Sequence, residues 1–144
     1  MTTSEGFDAA VERYHAAAGE FVKGNAGPYK ALFSHGEEVT VANPFFPVTR
    51  GWENVRDRME RAASRWSEGE VTGFENVITY ATPDLGYIVE IERFHAKVGG
   101  SQEAGPVALR TTSILRREAD EWKIVHRHAD PITTDQPPES VRTS

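Results

Sequence analysis

The stretch Trp122-Lys123-Ile124-Val125-His126-Arg127-His128-Ala129-Asp130 places two imidazoles and a carboxylate at alternate positions. In an extended strand Trp122, Ile124, His126, His128 and Asp130 share one face. Two of them are apolar, and the opposite face carries Lys123 and Arg127. The pattern therefore turns the Trp122 set inward. A neutral imidazole whose proton is fixed by a carboxylate can act as a general base. His128 with Asp130 is accordingly the candidate catalytic pair, and His126 a candidate ligand contact. The competing reading is a structural histidine bonded within the sheet, and a bulge would exchange the two faces. His95 is a further candidate ligand contact, and it could complete a three-histidine cluster with His126 and His128. No helical His-x-x-x-His and no second-shell pattern accompanies it, so no metal site is expected.

Arg110 lies in Ala108-Leu109-Arg110-Thr111-Thr112, among apolar and small residues. It either pairs across the sheet with Glu90 or Glu92, or meets an anionic ligand; it is taken as a pocket residue. Glu90 and Glu92 share one strand face, read as solvated or as a dimer surface. Tyr14 stands on an apolar helical stripe, as a core residue or a pocket hydroxyl. Asn43 either turns the chain before Pro44 or touches a ligand. Phe45 and Phe46, between Pro44 and Pro47, form an apolar loop placed like the rim of a cavity or a dimer contact. Trp52 opens a third apolar stripe and joins the candidate cavity contacts.

Composition narrows the chemistry. The chain has 144 residues, a net charge of −6 and no cysteine. Thiol nucleophiles, disulfides and thiolate metal sites are excluded. The acidic balance argues against nucleic-acid binding. The start carries no basic or apolar leader pattern, and no apolar run approaches a membrane span, so a cytoplasmic chain without membrane partners is expected. Phosphate loops, dinucleotide fingerprints, Gly-x-Ser-x-Gly and His-Glu-x-x-His are absent, and no cofactor is expected.

The elements follow from periodicity. Phe7, Ala10, Val11, Tyr14, Ala17, Ala18 and Phe21 predict a helix over about residues 4–23, capped by Thr3 or Ser4. After Gly24-Asn25-Ala26-Gly27, Pro28 opens a short helix from Tyr29 to about Ser34. Val39 and Val41 mark a short strand ending at Asn43-Pro44. Trp52, Val55, Met59, Ala62/Ala63 and Trp66 predict a third helix. From residue 70 the period becomes two, giving strands over 70–81, 86–98, 106–118 and 122–130. The order implies an α+β fold, with three helices packed on one face of a strongly curved, mainly antiparallel sheet. A domain over 1–132 and a flexible tail over 133–144 are expected.

Three stretches carry a resemblance: Val11-Glu12-Arg13-Tyr14 with Ala31-Leu32-Phe33; Val39-Thr40-Val41-Ala42-Asn43-Pro44 with Arg50-Gly51-Trp52-Glu53-Asn54-Val55; and Leu109-Arg110-Thr111-Thr112 with Trp122 to Asp130. In this order they resemble the NTF2-like, SnoaL-like superfamily, which includes ketosteroid isomerases, polyketide cyclases and the association domain of calmodulin-dependent kinase II. The resemblance implies a cone enclosing a pocket and a homodimer through the outer sheet face. Tyr14 matches the family's helix tyrosine. Asn43 stands where isomerases carry the base aspartate, and Arg110 near their protonated aspartate, so steroid isomerisation is not expected. The leading expectation is a pocket that binds or transforms a small, mostly apolar organic molecule, by acid/base chemistry of the isomerase, cyclase or dehydratase type if it is catalytic. The alternative is a non-catalytic, dimeric association or ligand-sensing domain.

Overall fold

A computed structural model describes residues 6–143. Helices α1 (Phe7–Phe21) and α2 (Gly27–Leu32) come first, then strands β1 (Thr40–Asn43) and β2 (Phe46–Arg50), helix α3 (Trp52–Ala63) and the long strands β3 (Trp66–Ala81), β4 (Leu85–Val98), β5 (Gly105–Glu118) and β6 (Glu121–Asp130). One six-stranded sheet results, in the order β2-β1-β6-β5-β4-β3. Every described pairing between these strands is antiparallel except β1 with β6. This is the expected α+β cone.

The helix stripes do what their spacing dictates. Ala10, Tyr14, Ala17 and Ala18 of α1 are buried, as are Val55, Met59, Ala62 and Ala63 of α3. They pack with Tyr29, Leu32 and Phe33 against Ile88, Leu115, Trp122 and Ile124 of the sheet. The cap expected at Thr3 or Ser4 lies outside the described residues. Within them the N-cap of α1 is Gly6, which makes no side-chain cap bond. Among the described residues no helix is long and apolar enough to cross a membrane.

Two local readings change. Phe46–Arg50 is an edge strand rather than a loop; Pro47 fits there because an edge position does not require its missing N–H. Trp66 begins β3 instead of ending α3. The end of the chain contains a short 3-10 turn, Pro138–Val141.

β3 enters the sheet under steric constraint. Glu68 has a positive φ of 53°, and the β3–β4 register shifts between Ser67 and Glu70. Gly69 then runs against the end of α1: a Cβ there would lie 2.2 Å from the Val22 carbonyl oxygen. Neither backbone can yield without moving α1 from the sheet. Gly69→Ala is expected to destabilise the fold by about 2 kcal/mol or more, in the range of overpacked core positions. Urea unfolding checks this, with Gly73→Ala, whose Cβ would meet nothing within 4 Å, as the control.

Candidate functional site

The site is decided by one residue of β6. Leu115 pairs with Ile124, but the next residue back along β5, Ile114, pairs with His126. Val125 is the extra residue of a bulge, and the bulge moves every later side chain to the opposite face. Trp122 and Ile124 point inward, as their apolar character demands. Beyond Val125 the inward residues are Arg127 and Ala129, both buried, while His126, His128 and Asp130 turn to the outer face.

The neighbouring strands agree with this phase. On β5 the buried residues are Leu109, Thr111, Ser113 and Leu115; on β4 they are Ile88, Glu90, Glu92, Phe94 and Ala96. Two carboxylates and one guanidinium therefore face the helices from inside the cone.

A cavity lies between the two halves of the core. Phe21, Val22, Tyr29, Phe33, Val41, Phe45, Met59, Trp66, Leu109 and Ala129 make its walls mostly apolar, and Asn43, Glu92 and Arg127 bring polar groups to it. Its cavity volume is about 40 Å³. Phe45 leans on Trp66 at a centroid separation of 5.3 Å. Asn43 accepts backbone N–H bonds from Phe45 (2.9 Å) and Phe46 (3.1 Å) through Oδ1, a turn that fixes this wall.

The polar end of the cavity is a connected cluster. Arg127 donates through Nη1 to the hydroxyl of Tyr14, which also accepts from Ser113 Oγ at 2.9 Å. Through Nη2 it reaches Glu92 Oε2 at 3.4 Å, a long contact for a charge-assisted bond. Its guanidinium also lies 5.3 Å from the centre of the Tyr29 ring. Burial works against the charge on Arg127. The surrounding Tyr14, Tyr29 and Glu92 outweigh it and hold the pKa above the ordinary arginine value. One step along β4, Glu90 accepts from His15 Nε2 at 2.9 Å on both carboxylate oxygens. The His15 ring is held flat against Phe74, centroids 3.7 Å apart.

Tyr29 differs from its neighbours. It is 2 % exposed and lines the cavity, and its hydroxyl has no hydrogen-bond partner among the described residues. Burial raises its pKa well above the ordinary phenol value, so the group is a neutral donor at physiological pH. A buried hydroxyl without a partner costs stability.

Several sequence expectations are corrected by these positions. His128 and Asp130 are on the outer face, not in the cavity. There Asp130 Oδ2 is 2.6 Å from both His128 Nε2 and Arg110 Nη2, and Oδ1 accepts the Ile132 N–H at 2.9 Å. Arg110 is exposed and pairs with Asp130, not with Glu90 or Glu92. His126 faces outward and bonds Thr40 Oγ1 through Nδ1 at 2.8 Å; burial and the neighbouring His128 lower its pKa. His95 is exposed on the outer face. Trp52 stacks on His35 at 3.9 Å in a surface depression away from the cavity. Glu90 and Glu92, expected on a solvated face, are 1 % and 2 % exposed. Asn43 and Phe45 do line the cavity, while Tyr14 sits behind it and reaches it through Arg127. Among the described residues no group of three or more His, Asp or Glu could hold a metal ion.

Sequence reasoning missed Arg127, Glu92, Tyr29 and His15. The parity of β5 contained a usable signal. Leu109 and Leu115 share the face opposite Arg110, which sends that arginine outward and its partner Asp130 with it.

The curved six-stranded sheet and the three helices packed on it define an NTF2-like cone. The model of the SnoaL-like domain matches residues 8–133, and the chain belongs to that family. Solved structures share the fold. A nuclear transport factor 2-like superfamily protein of Salmonella enterica superposes with a TM-score of 0.73 at 16% identity, covering 90% of this chain and 91% of that one. A protein described as a dehydratase of the NTF2-like family, from Streptomyces avermitilis, gives 0.71 at 17% identity, covering 88% and 96%. A protein described as a calcium/calmodulin-dependent protein kinase type II association domain, from Thiobacillus denitrificans, gives 0.66 at 19% identity, covering 92% and 100%. At such identities these likenesses concern the fold alone. No curated protein matches the sequence.

Two measurements check the two faces. Tyr29→Phe removes no protein hydrogen bond, so the ligand-free variant should be as stable as the wild type or more stable, by up to about 1 kcal/mol in urea unfolding. On the outer face, bonds from Arg110, His128 and the Ile132 N–H outweigh burial and lower the Asp130 pKa from 3.8 to about 2. Its stabilisation is therefore complete above about pH 4 and is lost as the pH falls through about 2. The stability gap between wild type and Asp130→Asn should be widest above pH 4 and close toward pH 2, followed by denaturant titrations across that range.

Proposed function

We propose that this protein binds a small, mostly apolar organic molecule in the cone's cavity and transforms it by proton transfer. Glu92 is the base, and Tyr29 and Arg127 hold the oxygen on which charge develops. The observation that carries this reading is the pairing of a buried carboxylate with a partnerless buried hydroxyl on one apolar cavity. Glu92 is held by a single long contact to Arg127, and the Tyr29 hydroxyl by nothing among the described residues. A bound carbonyl would take the phenol's hydrogen bond. A carbon-bound proton beside it would pass to the Glu92 carboxylate, leaving an enolate oxygen held by neutral and cationic donors, and return at the same or a neighbouring carbon. The dehydratase and isomerase descriptions attached to structural neighbours are compatible with this type of chemistry.

A second reading is a dimeric ligand-sensing or association domain without turnover. It is favoured by Asn43, which stands at the position of the isomerase base and spends its side-chain oxygen on the Phe45 and Phe46 amides. The apolar residues Tyr80, Leu85, Tyr87 and Val89 on the outer side of the sheet support a homodimer through that surface.

Hydrogen–deuterium exchange at the α-carbon separates the two readings. With small cyclic ketones in D2O, the wild type should accelerate exchange. Glu92→Gln, with its fold verified by near-UV circular dichroism, should retain ketone binding and lose at least about 100-fold in rate, the usual worth of a general base. Exchange at the same rate in both proteins would remove Glu92 from the chemistry. Binding without exchange in the wild type would favour the sensing domain.

A further inference from the structure

A cavity ending in an arginine would ordinarily be read as a carboxylate receptor. We infer that this one selects against anions, and that its ligand is a neutral oxygen compound, such as a ketone, aldehyde or ester, bonded by the Tyr29 hydroxyl. The inference rests on the cavity being the binding site, and it adds the charge of the ligand.

The charges inside the cone carry the argument. Two acidic side chains face the interior from β4, Glu90 and Glu92, each at most 2 % exposed. One permanent cation answers them, Arg127 from β6. From α1 come Tyr14 and His15, and from α2 comes Tyr29. Both phenols are neutral, since burial raises their pKa values. His15 is the remaining group that can change the sum, and it is already bonded to both oxygens of Glu90. With both glutamates ionised and His15 neutral, the interior carries one excess negative charge. With His15 protonated, His15–Glu90 and Arg127–Glu92 are two matched pairs. In neither state is the interior positive.

A carboxylate entering the cavity would have to displace Glu92 from Arg127 or sit beside it, and like charges in a desolvated site repel strongly. An ammonium group would meet the Arg127 guanidinium at the same point. Arg65 and Arg58 lie on the Phe45 and Phe46 rings rather than in the cavity lining. Arg65 is exposed, so its field is screened by solvent. What the walls leave unsatisfied is a neutral donor. Tyr29 is a lining residue of this space, and its buried O–H has no described partner. A neutral acceptor oxygen on an apolar skeleton satisfies that hydroxyl without adding charge.

The test is a matched set of four probes on one ring: cyclohexyl methyl ketone, cyclohexanecarboxylate, cyclohexylmethylammonium and methylcyclohexane. Their dissociation constants are measured by ligand-observed NMR at neutral pH. On the wild type the ketone should bind at least tenfold more tightly than either charged probe. Tyr29→Phe should lose about fivefold to tenfold in ketone affinity, the worth of one hydrogen bond, with methylcyclohexane unchanged. Glu92→Gln frees Arg127, so the carboxylate should gain at least tenfold there. Should that variant fail to fold, the wild-type and Tyr29→Phe comparisons decide alone. Carboxylate or ammonium binding equal to or tighter than the ketone on the wild type would overturn the inference while leaving the cavity as a binding site. Binding of none of the four would overturn the cavity reading, and this inference with it.

Discussion

A guanidinium buried inside an apolar cone is the constraint around which the rest of this structure is arranged. Removing Arg127 from water is costly, and the cost is offset only if its donors are met at close range. The helices and strands supply these partners from four directions: Tyr14 from α1, Tyr29 from α2, Glu92 from β4, and Ser113 from β5 through the Tyr14 hydroxyl. Tyr14, buried on the α1 stripe, and Glu92, on the inward face of β4, both contact it. A buried ion pair of this kind is seldom more stabilising than apolar residues of the same volume. Its contacts are also incomplete, with a 3.4 Å bond to Glu92 and a phenol beside it that bonds to nothing described.

The two faces of the sheet divide the ionic work. Inside, Glu90, Glu92 and Arg127 are few and shielded, with the half-buried His15 against Glu90, so small changes in their pairing carry large electrostatic consequences. Outside, Arg110, Asp130 and His128 form a compact surface network beside Thr40 and His126. Its bonds close the end of β6 and its turn to Ile132, and solvent moderates their strength. His128 and Asp130 belong to this network, which faces away from the cavity.

Much of the architecture was legible in the order of residues. The α1 stripe from Phe7 to Phe21, the break at Gly24 to Gly27 and the change of period near residue 70 yield the helices and four long strands to within a few residues. The reason is that burial of an amphipathic face is a local pattern, repeated many times along each element. β2 escaped because Pro44 and Pro47 around Phe45-Phe46 look like a loop, and only an edge position lets the strand accept Pro47. The interior of the site was less legible. On β4 both faces are apolar enough to be buried, Ile88 and Phe94 on one and Tyr87, Val89 and Ile91 on the other, so alternation could not assign Glu90 and Glu92 to the inside.

The sequence by itself determined the α+β fold class and the absence of cysteine chemistry, because those depend on composition and on periodicities that each element contains whole. Which charged side chains face the cavity was decided only by the tertiary structure. The single extra residue at Val125 turns Arg127 inward and the two histidines outward, and a bulge is a property of two strands in register, not of either strand alone. The isolation of the Tyr29 hydroxyl is likewise visible only when α2, β4 and β6 come together. It is defined by the hydrogen bonds its neighbours make elsewhere.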